Sequence, residues 1–176
     1  MKRCSWAESS PLEIEYHDKE WGVPVHDDRT LFALLTMEGA QPGSCWATVL
    51  QKREGYLKAF DQFDIKKVAR YSEKKIEKLI DNPDIVRNKL KIRGTVENAK
   101  RIIDVQKEWG SFDAYIWTFV GGETIQNKWK TAAEVPASTA ESEAMSKALK
   151  KAGFKFVGPT ICYAYMQAVG MVNDHL

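Results

Sequence analysis

The chain has 176 residues, of which 44% are hydrophobic and 28% charged, enough for one domain with an ordinary core and no need of disulfide staples. Its formal net charge of +2 neither demands nor excludes nucleic acid, so the case for such a partner rests on local features. Residues 1–26 carry charges throughout with no apolar run, so no signal peptide, membrane span or membrane partner is expected. Cys4, Cys45 and Cys162 are odd in number and far apart, which points to a reducing, cytoplasmic compartment rather than a secreted disulfide framework.

In chain order, Asp27-Asp28 is a helix start signal, followed at helical spacing by Leu31, Leu34, Leu35 and Glu38. Asp64 is placed to cap a helix over 65–71 and Ser72 one over 73–80, and Asn82-Pro83 opens a periodic stretch running to about Trp109. The block 111–120 contains Tyr115, Ile116, Trp117 and Phe119, and periodicity alone does not divide buried helix from strand there. Gly121-Gly122 ends it. Residues 122–138 lack helical period and are expected to be the longest loop, with room for a short extended pair. Ser138 with Glu141 makes a capping-box pattern, Gly153 is a stop signal, and Pro159 opens a last apolar helix through Ile161, Tyr165, Ala168 and Val169. A helix, a five-residue hairpin at 154–158 and a helix are predicted over about 139–170, within a mainly α single domain spanning 1–176.

Two features carry candidate chemistry. A glycine followed by proline at a helix start leaves backbone N–H groups pointing outward at the positive end of the helix dipole, an arrangement suited to phosphate. Lys147, Lys150 and Lys151 at i, i+3, i+4, with Lys155 in the hairpin, add cations; the plainer reading is a helix connection with a solvated lysine face. Trp6, Tyr16, Trp21 and Trp46 surround Glu38 in sequence, giving stacking surfaces and a carboxyl of the kind needed to hold an extruded base. The plainer reading makes the tryptophans core residues and Glu38 a surface acid at a helix end. Cys4, His17 and His175 are donor types that zinc prefers, but they lie at the two ends of the chain, make no compact motif and are one ligand short of a tetrahedral set. Cys45 and Cys162 read as small buried residues, and His26 as a surface histidine.

Several blocks occur together and in order: Cys4-x-Trp6, the run from Tyr16 through Trp21 to Pro24, Glu38-Gly39, Gly43-x-x-Trp46, Lys52-Arg53-Glu54, the run from Gly153 to Gly158, Gly170-x-Val172 and Asn173-Asp174-His175. Over essentially its whole length the chain resembles the 3-methyladenine DNA glycosylase I family, bacterial alkylation-repair enzymes of the helix-hairpin-helix group. The resemblance implies hydrolysis of the N-glycosidic bond of 3-methyladenine in double-stranded DNA, leaving an abasic site and free base. It implies base contacts from Glu38, Tyr16 and Trp46, with Trp6 and Trp21 nearby, and DNA contacts from Gln41, Gly43, Ser44, Lys155, Val157, Gly158 and Thr160. It implies structural zinc on Cys4, His17 and His175, joined by a cysteine whose position falls beyond Leu176. Asp174 is not expected to activate water, and Glu38 is expected to act as a selector and electrostatic partner of the base.

The loop 41–46 departs from the family pattern: Ser44 stands where an apolar wedge is usual, and Pro42 stiffens the turn. A relative that binds DNA or base with weakened excision is the alternative this raises. A zinc-stapled helical interaction protein is a third, and it leaves Glu38 and the aromatic set unexplained. A monomer is expected, since an enzyme acting on one duplex needs no second copy.

Overall fold

The computed structural model describes residues 3–43 and 45–176. The chain is mainly helical. Helices α1 (Pro11–Lys19), α2 (Asp28–Ala40), α3 (Trp46–Gln51), α4 (Arg53–Ala59) and α5 (Ile65–Ala69) are followed by α6 (Glu73–Ile80), α7 (Lys89–Trp109), α8 (Phe112–Ile116), α9 (Ala140–Lys151) and α10 (Pro159–Ala168). Starts are fixed by side chains that accept otherwise orphaned N–H groups: Asp27 from Thr30, Asp64 from Lys67 and Ser72 from Lys75.

Four expectations shift. Asn82-Pro83 does not open α7; the Asn82 side chain accepts from Asp84 N in a turn, and Asn88 caps the helix through Lys91 N. The capping box uses Thr139 and Ser142, not Ser138 and Glu141, because the Ser142 hydroxyl reaches back to the Thr139 N–H. The connection between α9 and α10 spans 152–158, two residues more than the predicted hairpin, since α9 ends at Lys151. The extended pair is not confined to the long loop: β1 (Ile125–Gln126) pairs in parallel with β2 (Val172–Asn173). The ambiguous apolar block resolves as helix, with Ser111 capping α8 and a 3-10 turn over Trp117–Val120.

Helix α2 lies at the centre. Leu31, Phe32, Leu34, Leu35 and Met37 are buried, and each such side chain contributes roughly 2 kcal/mol relative to exposure. Tyr165 of α10 donates to Leu31 O at 2.9 Å, tying the two helices. At its far end α2 delivers Glu38 to the wall of a cavity. The segment after α10 turns at Gly170, where φ is +77° and a Cβ would meet Val23 C at 2.3 Å. That close approach lets β2 and the residues after it run back beside α1, completing the cavity.

Candidate functional site

A cavity of about 390 Å³ is lined from α1, α2, α3, α10, the first residues described and the last. Trp6, Tyr16, Trp21, Glu38 and Trp46, scattered over the first quarter of the sequence, all contribute to its wall, as does Gln41. Trp6 and Trp21 meet edge to face with centroids 5.2 Å apart, and Tyr16 and Trp46 lie 5.3 Å apart at a tilt. These are ordinary aromatic packing distances. The reading of the tryptophans as mere core is thereby corrected: they pack together, and they also face open space.

The polar groups in this apolar surround are unusual for having no protein partners. The Tyr16 hydroxyl and the Trp46 Nε1 are buried with no acceptor among the described residues. Buried donors in native proteins are nearly always satisfied, so two orphans on one cavity wall mark groups aimed at a ligand. Glu38 sits in the last turn of α2, as expected, but it is only 5% exposed, which rules out a solvated surface acid. Burial pushes its carboxyl up to about 8, because the charged form is poorly solvated there. At neutral pH the carboxyl is therefore protonated. Burial and the nearby Glu38 hold the Tyr16 hydroxyl well above its ordinary range, leaving it a donor.

Gln41 and Gly43 follow α2 in the loop that leads to Trp46; Ser44 lies outside the described residues. Lys91 Nζ donates to Ala40 O, the last carbonyl of α2, at 3.1 Å and also to Pro42 O in the loop beyond it. Cys45 is exposed, correcting its assignment as a buried residue, whereas Cys162 is buried as expected.

Between α9 and α10 Lys155 is exposed, as is Thr160 in the first turn of α10, while Val157 is buried, so that only its backbone is available outside. Among the described residues nothing accepts from the N–H groups of Val157, Gly158 or Thr160. Asn98 of α7 grips the loop from beneath: its Nδ2 donates to Lys155 O at 3.0 Å and its Oδ1 accepts from Lys155 N at 2.7 Å. Gly94 makes room for Phe156, where a Cβ would sit 2.7 Å from the ring. Ser146 donates to Val157 O at 2.6 Å.

A family profile described as methyladenine glycosylase matches residues 6–176. The chain is 46% identical to DNA-3-methyladenine glycosylase 1 of Escherichia coli (strain K12) over 176 residues, covering 100% of this chain and 94% of that one. The chain belongs to the methyladenine glycosylase family. Its fold is that of solved structures of the family: 3-methyladenine DNA glycosylase I superposes with TM-score 0.96 at 45% identity, over 99% of this chain and 96% of that one. The enzyme from Staphylococcus aureus, whose structure is described as the basis of 3-methyladenine recognition, gives TM-score 0.96 at 32% identity, over 100% and 94%.

Family membership draws attention to the expected zinc ligands. The fold brings their neighbourhoods together: the rings of His17 and His175 have centroids 4.4 Å apart, and Cys4 N lies 3.4 Å from His17 Nε2. Three ring nitrogens are engaged within the protein, His17 Nε2 with that N–H, His17 Nδ1 with Asp18 at 2.9 Å and His175 Nε2 with Trp21 O at 2.5 Å. No group of three or more His, Cys, Asp or Glu among the described residues has the arrangement of a metal site. As they stand, the three residues are a hydrogen-bonded, aromatic clasp between the two ends of the chain.

Sequence reasoning missed the setting of Asp174. Its buried carboxylate lines the cavity and accepts from Asn127 Nδ2 at 2.7 Å, Trp129 Nε1 at 2.8 Å, Tyr163 Oη at 2.5 Å and Gln167 Nε2 at 2.9 Å. Four donors saturate it, so it braces the long loop and β2 against α10. It has no lone pair in reserve for activating water. The donors come from two separate segments, the long loop and α10, and no local pattern in sequence announces such a node. Lys91 was likewise invisible, one lysine among several in a basic stretch.

Proposed function

We propose that the protein is a DNA repair glycosylase that excises 3-methyladenine from alkylated double-stranded DNA. The observation that carries this reading is the pair of buried, unpartnered donors, Tyr16 Oη and Trp46 Nε1, beside Glu38 in an aromatic cavity of a chain in this family. An extruded base enters the cavity, stacks on the aromatic rings and engages these groups at its edge. The alkylated purine carries positive charge while attached to the sugar. Its arrival favours ionisation of Glu38, which then opposes that charge across a short, dry gap. In the hydrolysis, water forms the new bond to the sugar C1′ and loses a proton, while the C–N bond breaks with its electron pair moving to the base. Free neutral 3-methyladenine and an abasic site result. Among the described residues, Asp174 is engaged by four donors and Glu38 is held protonated by burial, so neither is arranged as a strong base toward water, which fits a leaving group that is already labile.

The 152–158 connection is the DNA-facing hairpin in this reading, with the N–H groups of Val157, Gly158 and Thr160 and the Lys155 ammonium receiving backbone phosphate. Gln41 and Gly43 face the gap left by the extruded base. The enzyme acts as a monomer in the cytoplasm, a compartment in keeping with Cys45 and Cys162, which form no disulfide. Cys4, His17 and His175 would be the residues to hold structural zinc, which would staple the two ends of the chain in place of their present hydrogen bonds; elemental analysis of gently purified protein, with melting in the presence of a chelator, tests it.

Release of 3-methyladenine from methylated duplex tests the main reading. Wild type is expected to free the base, and Glu38→Gln and Tyr16→Phe to lose most of that activity. A wild type that frees no base overturns it.

A further inference from the structure

Besides Glu38 and the saturated Asp174, the cavity wall contains a third carboxyl that the chemistry above does not use. Glu13, in the first turn of α1, is 5% exposed and lines the same space as Glu38, Tyr16 and Trp46. Its placement is held from one side only. Oε2 accepts from the hydroxyls of Ser9 and Ser10, the latter at 3.3 Å, and the Ser10 hydroxyl accepts from the Glu13 N–H at 3.2 Å. No donor among the described residues reaches Oε1. The serines anchor the side chain and set its angle, and the positive end of α1 favours negative charge there. One oxygen is anchored by local hydroxyls, which leaves the other available to a ligand in the cavity. The buried, unpartnered Tyr16 hydroxyl one turn along the same helix opens on the same cavity.

The ligand class follows from charge. A purine alkylated on a ring nitrogen is a cation while joined to the sugar and neutral once released, whereas an undamaged purine is neutral throughout. A fixed carboxylate in the cavity wall acts on that difference alone and is indifferent to ring shape. We infer that Glu13 is a specificity-determining residue of this site, a carboxylate that favours cationic N-alkylated purines over neutral purines, including the released product. The inference deepens the glycosylase reading and rests on it for the identity of the ligand.

Binding of two small probes tests it without DNA, by quenching of tryptophan fluorescence: the permanently charged 3,9-dimethyladeninium ion and neutral adenine. The wild type is expected to prefer the cation. Glu13→Gln keeps the shape and the serine hydrogen bonds, and is expected to reduce the ratio of the two affinities about tenfold or more. Glu13→Asp, which keeps the charge, is expected to retain most of the preference and serves if the glutamine variant folds poorly. An unchanged ratio in Glu13→Gln, or a wild type without preference for the cation, overturns the inference. A wild type that prefers the cation, loses that preference on Glu13→Gln and yet frees no base from methylated duplex overturns the glycosylase reading and leaves Glu13 as a charge selector.

Discussion

Replacing Glu38 by glutamine is expected to make the protein more stable at alkaline pH while disabling it. Burial raises this carboxyl from its ordinary 4.5 to about 8, which corresponds to about 5 kcal/mol between its neutral and charged forms. In the unfolded chain the proton leaves near the ordinary value; in the folded chain it stays until about 8. Between those limits the folded state binds the extra proton, so the stability Glu38 contributes is fully present below the lower value and is lost as pH rises through the upper one. Glutamine has no proton to lose, and the variant therefore escapes this decline. Urea unfolding of both proteins at intervals from about pH 5 to about pH 9 is expected to show near-equal stability at the acid end and a gap of about 5 kcal/mol in favour of the variant at the alkaline end. Excision of 3-methyladenine by the variant is expected to fall about a hundredfold, the scale of losing a preorganised electrostatic partner of a developing charge. A stability difference that stays flat across the range would refute the placement of Glu38 as a buried, unpaired acid.

Two further outcomes follow from groups outside the aromatic set. Asp174→Asn sets an amide against four donors that now share one carboxylate; a loss of about 3–5 kcal/mol in denaturant unfolding is expected, and a loss below about 1 kcal/mol would contradict the saturated node. Lys91→Met removes the ammonium from Ala40 O and Pro42 O; single-turnover release from duplex DNA is expected to slow about tenfold through misplacement of the loop. Affinity for free 3-methyladenine is expected to change little, because the cavity itself is untouched, and equal losses in both measurements would show that Lys91 supports the whole fold instead.

Much of the helical framework was legible because it is written locally. Asp27, Asp64 and Ser72 each sit three residues before the N–H they accept from, a spacing any sequence displays. Helix α1 was less visible, since it buries Glu13, Tyr16 and His17 and so lacks the apolar stripe by which amphipathic helices are recognised. The parallel pairing of β1 with β2 joins segments on either side of α9 and α10, and no local period encodes it. The same division holds at the site. Glu38, Tyr16 and Trp46 could be singled out as residue types suited to a base, but their physics became decisive only when the fold buried the two donors without partners. Glu13 carried no signal in the sequence, and only the fold shows it to be buried in the cavity wall.

The Asn98 clamp has a consequence for how association heat and disorder are shared. A side-chain amide that both donates to and accepts from Lys155 behaves like a short rung of β ladder laid across α7, so the backbone leading into the 156–158 turn has surrendered its freedom during folding. An anion docking on this turn meets groups already in place, and the ordering that remains falls on the ligand and on the long lysine side chain. Aspartate at this position would keep the acceptor and lose the donor, and leucine would lose both. Asparagine is the residue of this size that can complete the rung, and on the proposed reading of this turn position 98 would be a determinant of binding entropy at a surface it never touches.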